Sequence, residues 1–484
     1  MLFFVFLPVS TKYLYLLKFF IFSAIIIIMI KKKQWLTPPA KVALSFLGAI
    51  LLGTFLLCLP ISSNSGNWWS FIDSFFTSTS AVCVTGLVVV DTAVHFSLFG
   101  QIVIILLIQI GGLGFISLSA LLLLWVGKKL GYKNRMILQE SLNRDSNQGV
   151  VILLKKIAII VFSIEGIGFL LLLPSMIISY GTDGIFKALF LSISAFCNAG
   201  FDILGTTGTQ FQNLAPFAKN VFVLLPIMFL IVLGGIGYTV ILEIIGKTNK
   251  AKRNAFTFHA KIVLSMTAIL IFGGAILFAV FEWNNPSTIG NMSVFEKIIN
   301  SFFQSITPRT AGFSTFDQAS LTSSSRVITD ILMFIGGSPT SSAGGVKTTT
   351  IFVLLMFAFR SANDKGEVIV GRKSISSKVV QKSLRLVALV VILAMTSIVL
   401  ISLLEKNNPL ASASSIIFEV LSAISTVGIT LGLTPTLGIV SKMITITLMF
   451  VGRVGMLTLA FAIKRKSQDA YGLIQYPDAK INVG

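Results

Sequence analysis

The sequence predicts an all-α polytopic membrane protein, with eight transmembrane helices arranged as four span–short helix–span repeats around a pseudo-fourfold axis. Three observations predict it. The 484 residues are 55% hydrophobic and 12% charged, with a mean hydropathy of +0.91, which excludes an ordinary water-soluble domain. Charge-poor apolar runs near the ~20 residues that cross a bilayer core recur along the chain. One short pattern of small residues recurs four times at a nearly constant interval.

Residues 1–30 form an apolar extension interrupted by Lys12 and Lys18, and its longest charge-free run, 19–30, is short for a span. It lacks the basic start and small-residue cleavage site of a signal peptide. Met29 stands just before the basic "KKKQWLTPPAK", so the expected functional start is Met29. The apolar runs that follow lie at 42–60, 98–126, 151–179, 218–246, 258–281, 326–358, 386–404 and 437–463.

The net charge of +20 reports topology. Of 38 Lys and Arg, 27 fall in one set of alternate connections: Lys31, Lys32, Lys33 and Lys41, then the segments 126–156, 247–261, 360–385 and 464–480. The opposite loops hold seven, so the positive-inside rule places both ends of the bundle in the cytoplasm of a multi-pass protein. No nucleic-acid partner is implied. The loop 360–385, with seven basic residues, also offers a surface for anionic membrane lipid or for a cytoplasmic protein.

Catalytic chemistry has no kit here. Cys58, Cys83 and Cys197 have no metal spacing and read as reduced packing residues, and His95 and His259 stand alone. With no HExxH, no GxSxG with a plausible His and Asp, and no GxxxxGK[ST], the chain reads as no enzyme.

The recurring pattern is a turn. "SFFTSTSAVCVTGLVVVDT" (74–92), "LFLSISAFCNAGFDI" (189–203), "SFFQSITPRTAGFSTFD" (301–317) and "EVLSAISTVGITLGLTP" (419–435) each pair a short apolar and Ser/Thr helix with a glycine turn. Gly86, Gly200, Gly312 and Gly428 are separated by 114, 112 and 116 residues. Irregular backbone at membrane depth is tolerated only where it is buried or lines a watery path. Four such turns around one axis can present carbonyl oxygens to a monovalent cation, as a selectivity filter does. Glycine supplies the positive φ this needs, and the preceding helices aim their partially negative C-terminal ends at the centre. The expected quartets are Cys83, Val84, Thr85 and Gly86; Cys197, Asn198, Ala199 and Gly200; Arg309, Thr310, Ala311 and Gly312; and Ser425, Thr426, Val427 and Gly428.

The second span of each repeat carries a further aligned feature. "GGLG" (111–114), "GGIG" (234–237), "GGSP" (336–339) and "GRVG" (452–455) follow their turn glycines by 25, 34, 24 and 24 residues. Close helix packing is the first reading of these glycines. Arg453 replaces one of them. A guanidinium within a span normally faces a cavity or a partner. At ~10 Å and an effective dielectric near ~20 it would oppose a cation above it by about 1.7 kcal/mol. In the third repeat "GGSPTSSAGGVKTTT" (336–350) cannot be a lipid-facing helix. It reads as a flexible loop in the cavity under the filter, with Gly336, Gly337, Ser338, Gly344, Gly345 and Lys347 as gating residues together with Arg453.

The motifs "VCVTGL", "FCNAGFD", "TPRTAGFST", "STVGIT", "GGSPTSSAGGVKTTT" and "GRVGMLTLA" resemble those of the Trk/Ktr/HKT superfamily of potassium transporters, most closely the KtrB-type membrane subunit of bacterial Ktr uptake systems, over residues 31–470. The resemblance implies a potassium-selective pore, a homodimer in the bacterial cytoplasmic membrane and an intramembrane gate at 336–350. It also implies a cytoplasmic ring of KtrA-type nucleotide-binding regulatory subunits. The chain would bind no cofactor; K+ is the transported ion, and Na+ as an activator is left open. In related plant proteins a Ser in place of the first filter glycine accompanies sodium transport, so Gly86 favours potassium.

The units are then an extension, 1–30; pore repeats at 31–127, 128–246, 247–359 (with the gating loop 336–350) and 360–466; and a tail, 467–484. The competing reading is a sodium-coupled or alternating-access carrier, which calls for inverted repeats and a midplane carboxylate site. The four units run in one orientation, and the intramembrane carboxylates are read as Glu165 and Glu243.

Overall fold

The computed structural model describes residues 38–114, 149–248, 256–359, 367–371 and 373–455, together with Ala120, Leu121, Leu124, Gly131 and Met136. The extension 1–30, most of the basic segment 126–156, part of 247–261 and 360–385, and the tail 467–484 lie outside the described residues.

The chain is mostly helical. Four long helices, α1 (Pro38–Cys58), α4 (Val150–Tyr180), α8 (Phe258–Glu282) and α12 (Ser377–Leu404), each open a repeat. Each is followed by a short helix: α2 (Phe71–Val82), α5 (Gly184–Cys197), α9 (Val294–Ile306) and α13 (Ala413–Ile424). The short helix packs on its own long helix in every repeat. Local sequence explains the starts. Two prolines occupy the first turn of α1, where their missing N–H costs nothing. Ser293 and Glu296 form a capping box on α9, and Ser412 caps α13 through Ser415 N.

The second long segment of each repeat differs from expectation. α3 (Leu98–Leu113), α6 (Val221–Ile236) and α14 (Ile439–Val454) stop at Gly114, Gly237 and Gly455, whose φ values are +81°, +101° and +90°. Sixteen residues rise only about 24 Å, short of a ~30 Å hydrocarbon core. α6 continues as α7 (Tyr238–Thr248) after a bend of 102°, and α10 (Ser323–Phe334) is parted from α11 (Thr348–Phe359) by the loop. Among the described residues four helices are long and apolar enough to cross a membrane, or five if α6 and α7 form one span. A helix ends at the aligned glycine motif in all four repeats, where the sequence pointed to one broken span.

A second departure from an all-α chain is small. β1 (Val368–Val370) and β2 (Lys373–Ile375) form an antiparallel hairpin in the basic loop, turning at Gly371 and burying Val368 against Val353 and Val380.

Packing inside the bundle is partly polar. α2 buries Ser74, Thr77, Ser78, Thr79 and Ser80, small side chains that let backbones approach. Ser78 and Thr79 return their hydroxyls to the carbonyls of Ile50 and Phe75, each at 2.7 Å. Large apolar side chains such as Ile178 (86% exposed) and Phe222 (80%) cover the perimeter, as a lipid-facing surface requires. α14 packs on α2, closing the fourth repeat on the first, and Lys442 Nζ meets Asp73 Oδ1 at 2.7 Å across that seam.

Candidate functional site

The four glycine turns meet in a closed ring. A methyl group at Gly86 would lie 2.5 Å from Ala199 O; at Gly200, 2.9 Å from Ala311 O; at Gly312, 2.6 Å from Val427 O; and at Gly428 it would overlap Thr85 O. Each repeat's glycine thus sits against the carbonyl that precedes the next repeat's glycine, and the fourth returns to the first. The glycine φ values are +93°, +69°, +80° and +93°. The structure brings the four glycines together with the carbonyls of Thr85, Ala199, Ala311 and Val427 at this ring.

Each quartet has a second left-handed residue that is not glycine. Val84 (φ +55°), Asn198 (+58°), Thr310 (+69°) and Thr426 (+52°) all stand two positions before the ring glycine. Three are β-branched, for which this conformation is a genuine outlier that the surroundings must hold. The hold is visible. Thr85 N, Ala199 N and Val427 N donate at 2.8 Å to Ser80 O, Ser194 O and Ser422 O in their helices. Ser80 Oγ and Ser422 Oγ accept from Gly86 N and Gly428 N at 3.0 and 3.1 Å. In the other two repeats the hydroxyl donates instead: Ser194 Oγ to Phe201 O at 2.7 Å and Thr307 Oγ1 to Phe313 O at 2.5 Å. These four hydroxyl struts were missed in the sequence, although a Ser or Thr recurs five or six residues before every ring glycine. Thr85, Thr310 and Thr426 carry buried Oγ1 atoms without a protein partner, as does Nε of Arg309.

The aligned glycines beneath the ring are packing positions. A methyl at Gly111, Gly234 or Gly452 would overlap Val82 O, Phe196 O or Ile424 O, carbonyls at the C-terminal end of the short helix in the same repeat. In the third repeat Gly336 faces Gly344 O of its own loop instead.

That loop lies directly under the ring. Ile335 and Val346 pair as an isolated parallel bridge at its neck. Gly344 approaches Thr426 and Ser425 closely enough that a methyl there would overlap Thr426 Oγ1. Ser338 N and Ser342 N donate to Gly235 O and Gly234 O at 3.0 and 3.3 Å, and Ser342 Oγ reaches Phe196 O at 3.2 Å. Tyr238 N donates to Thr340 O at 3.0 Å. Lys347 curls onto its own loop, Nζ to Ala343 O at 2.6 Å. Arg453 is paired: Nη1 donates to Ser342 O, and Nη2 to Gly111 O at 2.5 Å and Gly112 O at 3.5 Å. The guanidinium therefore joins the loop to the carbonyl-rich C-terminal end of α3, where a cation is favoured.

Carboxylates do not converge on the ring. Glu243, read from sequence as intramembrane, accepts from Thr257 N and Thr257 Oγ1 at 2.6 and 2.9 Å and so anchors the residue that caps α8. The reading also omitted Asp330, which lies in α10, and Glu419 on α13, whose carboxylate accepts from Thr430 and Thr434 in the segment after the fourth turn. On the opposite side of the ring from the loop, Asp91 caps Ala93 N and Val94 N and accepts from Phe211 N of the second repeat at 2.7 Å. Asp202 is half-buried beside it. Burial pushes its carboxyl up to about 7; the Leu204 N–H works against this and Asp91 adds to it. No group of three or more metal-ligating side chains occurs among the described residues.

Three comparisons bear on this arrangement. Residues 19–472 match the TrkH family, described as cation transport proteins. The chain is 39% identical over 449 residues to the Ktr system potassium uptake protein B of Bacillus subtilis, covering 93% of this chain and 97% of that one. It is 37% identical to the potassium/sodium uptake protein NtpJ of Enterococcus hirae, covering 93% and 98%. The crystal structure of the potassium transporter TrkH from Vibrio parahaemolyticus superposes with a TM-score of 0.62 at 17% identity, covering 93% of this chain and 97% of that one.

Proposed function

From the premise that the chain belongs to the TrkH family of cation transport proteins, and is a transporter rather than an enzyme, we propose that it takes up potassium through the four-turn ring, acting as a selectivity filter, with the loop 336–350 as its gate. The observation that carries this reading is the closure of the ring, in which the four carbonyls of Thr85, Ala199, Ala311 and Val427 lie at equivalent places. Carbonyl oxygens so placed can replace the hydration shell of a monovalent cation. The C-terminal ends of α2, α5, α9 and α13 all adjoin the ring and add partial negative charge. The unpartnered hydroxyls of Thr85, Thr310 and Thr426 suit a path that an ion and water occupy.

The gate reading rests on Arg453, which donates to Ser342 O of the loop and to Gly111 O of the first repeat and so ties the loop to its neighbours. In this reading the broken second helices complete eight spans, with both ends of the bundle in the cytoplasm of a bacterial cell. Two copies form a homodimer in the lipid bilayer, and a cytoplasmic nucleotide-binding ring of KtrA type moves the gate, docking on the basic loops. Sodium coupling is the second reading, favoured by the name of the Enterococcus relative.

The experiment is growth and 86Rb+ uptake in a potassium-uptake-deficient host. Gly86→Ser and Gly312→Ser should each abolish potassium selectivity, and deletion of 338–345 should raise flux and uncouple it from the cytoplasmic regulatory subunits. Unaltered ion preference in both glycine variants sinks the filter, and sodium-dependent wild-type uptake selects the coupled form.

A further inference from the structure

We infer that residues 205–214, an insertion confined to the second repeat, form a strap that clamps the third turn from the side of the ring away from the loop, and that its anchors Asp91 and Asn213 are positioning residues for ion selectivity; this deepens the filter reading and rests on it. The sequence marks the insertion: from ring glycine to aligned glycine motif the second repeat runs 34 residues, against 25, 24 and 24 in the others. The extra residues build an exposed tip in which Thr206 and Thr209 exchange backbone hydrogen bonds at 3.2 and 3.1 Å. Phe211 and Asn213 follow at φ values of +58° and +48°. A bulky residue keeps that conformation only where its surroundings hold it.

The hold comes from two other repeats. Asp91, five residues past Gly86 and 7% exposed, caps the helical turn 92–95 with Oδ1 and accepts from Phe211 N at 2.7 Å with Oδ2. Gly205 leaves room for that carboxylate, which a methyl there would overlap. At the other end Ser314, two residues past Gly312, gives both backbone groups to the strap. Its N–H donates to Asn213 Oδ1 at 3.3 Å, and its carbonyl accepts from the N–H of the buried Leu214 at 3.0 Å. The first and third repeats do not meet through their ring glycines, because the second lies between them. The strap therefore joins three repeats just beyond their turns. It closes one residue past Phe313, whose carbonyl takes the Thr307 hydroxyl, so the third turn is held by its own helix on one side and by the second repeat on the other. Where carbonyls replace a hydration shell, holding them in place favours the ion whose size they match.

The test is 86Rb+ uptake, and its competition by Na+, in an uptake-deficient host. Asn213→Gly removes the acceptor for Ser314 N, and glycine takes a φ of +48° without strain. Gly205→Ala keeps every donor and acceptor and displaces only the Asp91 carboxylate. Each should lower K+/Na+ preference about tenfold, the scale of one lost hydrogen bond, while Vmax for 86Rb+ holds. Asp91→Ala, which also uncaps 92–95, should do at least as much. Wild-type preference in either Asn213→Gly or Gly205→Ala overturns the inference. So does failure of either to reach the membrane, which would make the strap a folding element. A KM that rises equally for both ions in Asp91→Ala, with preference intact, would assign Asp91 to surface charge and overturn its role as an anchor. Gly312→Ser run in parallel separates the failures: if it destroys selectivity while the strap variants are silent, the filter stands and only the strap falls.

Discussion

The ring and the loop beneath it are built in opposite ways. The ring repeats one backbone device four times: a glycine at positive φ, a second left-handed residue two positions earlier, and a carbonyl lodged against the neighbouring repeat. The inner layer differs from repeat to repeat. Close glycine packing is shared by the first, second and fourth, but the second adds a 102° bend, the third a polar loop and the fourth an arginine. Equal carbonyls around an axis suit a spherical ion. A barrier that must move is better made from one segment, because one loop can shift without breaking four sets of packed contacts.

The sharpest way to break this contrast is to disturb one quarter of the ring. A methyl at Gly428 would overlap Thr85 O, and φ of +93° is unfavourable for any L side chain. Strain of about 3 kcal/mol converts to roughly a hundredfold loss, so Gly428→Ala should abolish 86Rb+ uptake and K+/Na+ discrimination together. Retained discrimination would mean that the four quarters act independently. In the inner layer the sign reverses. Arg453→Gln removes the hydrogen bond from a charged donor to Ser342 O of the loop, worth about 1.5–3 kcal/mol. Flux measured on purified protein in liposomes should rise about tenfold or more with selectivity unchanged.

The same contrast explains what was legible in the sequence. The ring glycines were legible because a turn at positive φ leaves little choice of residue, and four copies at near-constant spacing are hard to produce by packing alone. The left-handed Val84, Thr310 and Thr426 were not, because β-branched residues disfavour that conformation, and Asn198, of a type that tolerates it, is a signal in one repeat alone. Arg453 read as facing a cavity or a partner, and the partners themselves, Ser342 O, Gly111 O and Gly112 O, were not legible because they are backbone atoms with no signature in sequence. The helix ends at Gly114, Gly237 and Gly455 were hidden by the apolar residues beyond them, which extend the hydropathy of the run past the break. The β1–β2 hairpin was hidden by its length, three residues a strand.

A smaller effect sharpens the comparison at the ring's other face. Asp202 has its carboxyl raised to about 7, first by burial, so it is ionised above that pH and neutral below it. Acidification through 7 on that side removes a negative charge two residues beyond Gly200, and KM for K+ should rise several-fold, less than the full effect of an unscreened charge at ~10 Å because the carboxyl is only half-buried. Asp202→Asn should show the acid-side KM at every pH. For stability the sign is the reverse of a salt-bridged carboxylate: a raised folded-state value means that ionisation costs stability, which is lost as pH climbs from 3.8 toward about 7. A KM that follows pH equally in Asp202→Asn would assign the dependence to another group.

The smallest effect tests what keeps the ring closed. The first and fourth repeats meet without a covalent connection, and Asp73 and Lys442 bridge them at 2.7 Å with side chains 24% and 14% exposed. Asp73 also stands in the first turn of α2, where a negative charge is favoured by the helix dipole. Partly exposed pairs contribute about 0.2–1 kcal/mol, so Lys442→Met should lower the melting temperature of the purified protein by a few degrees at most. If ring closure rests on the glycine–carbonyl contacts themselves, K+/Na+ selectivity will not move with it. A loss of selectivity in Lys442→Met would place the geometry of the fourth turn under control of a contact outside the ring, and the ring would then be only as symmetric as its weakest seam.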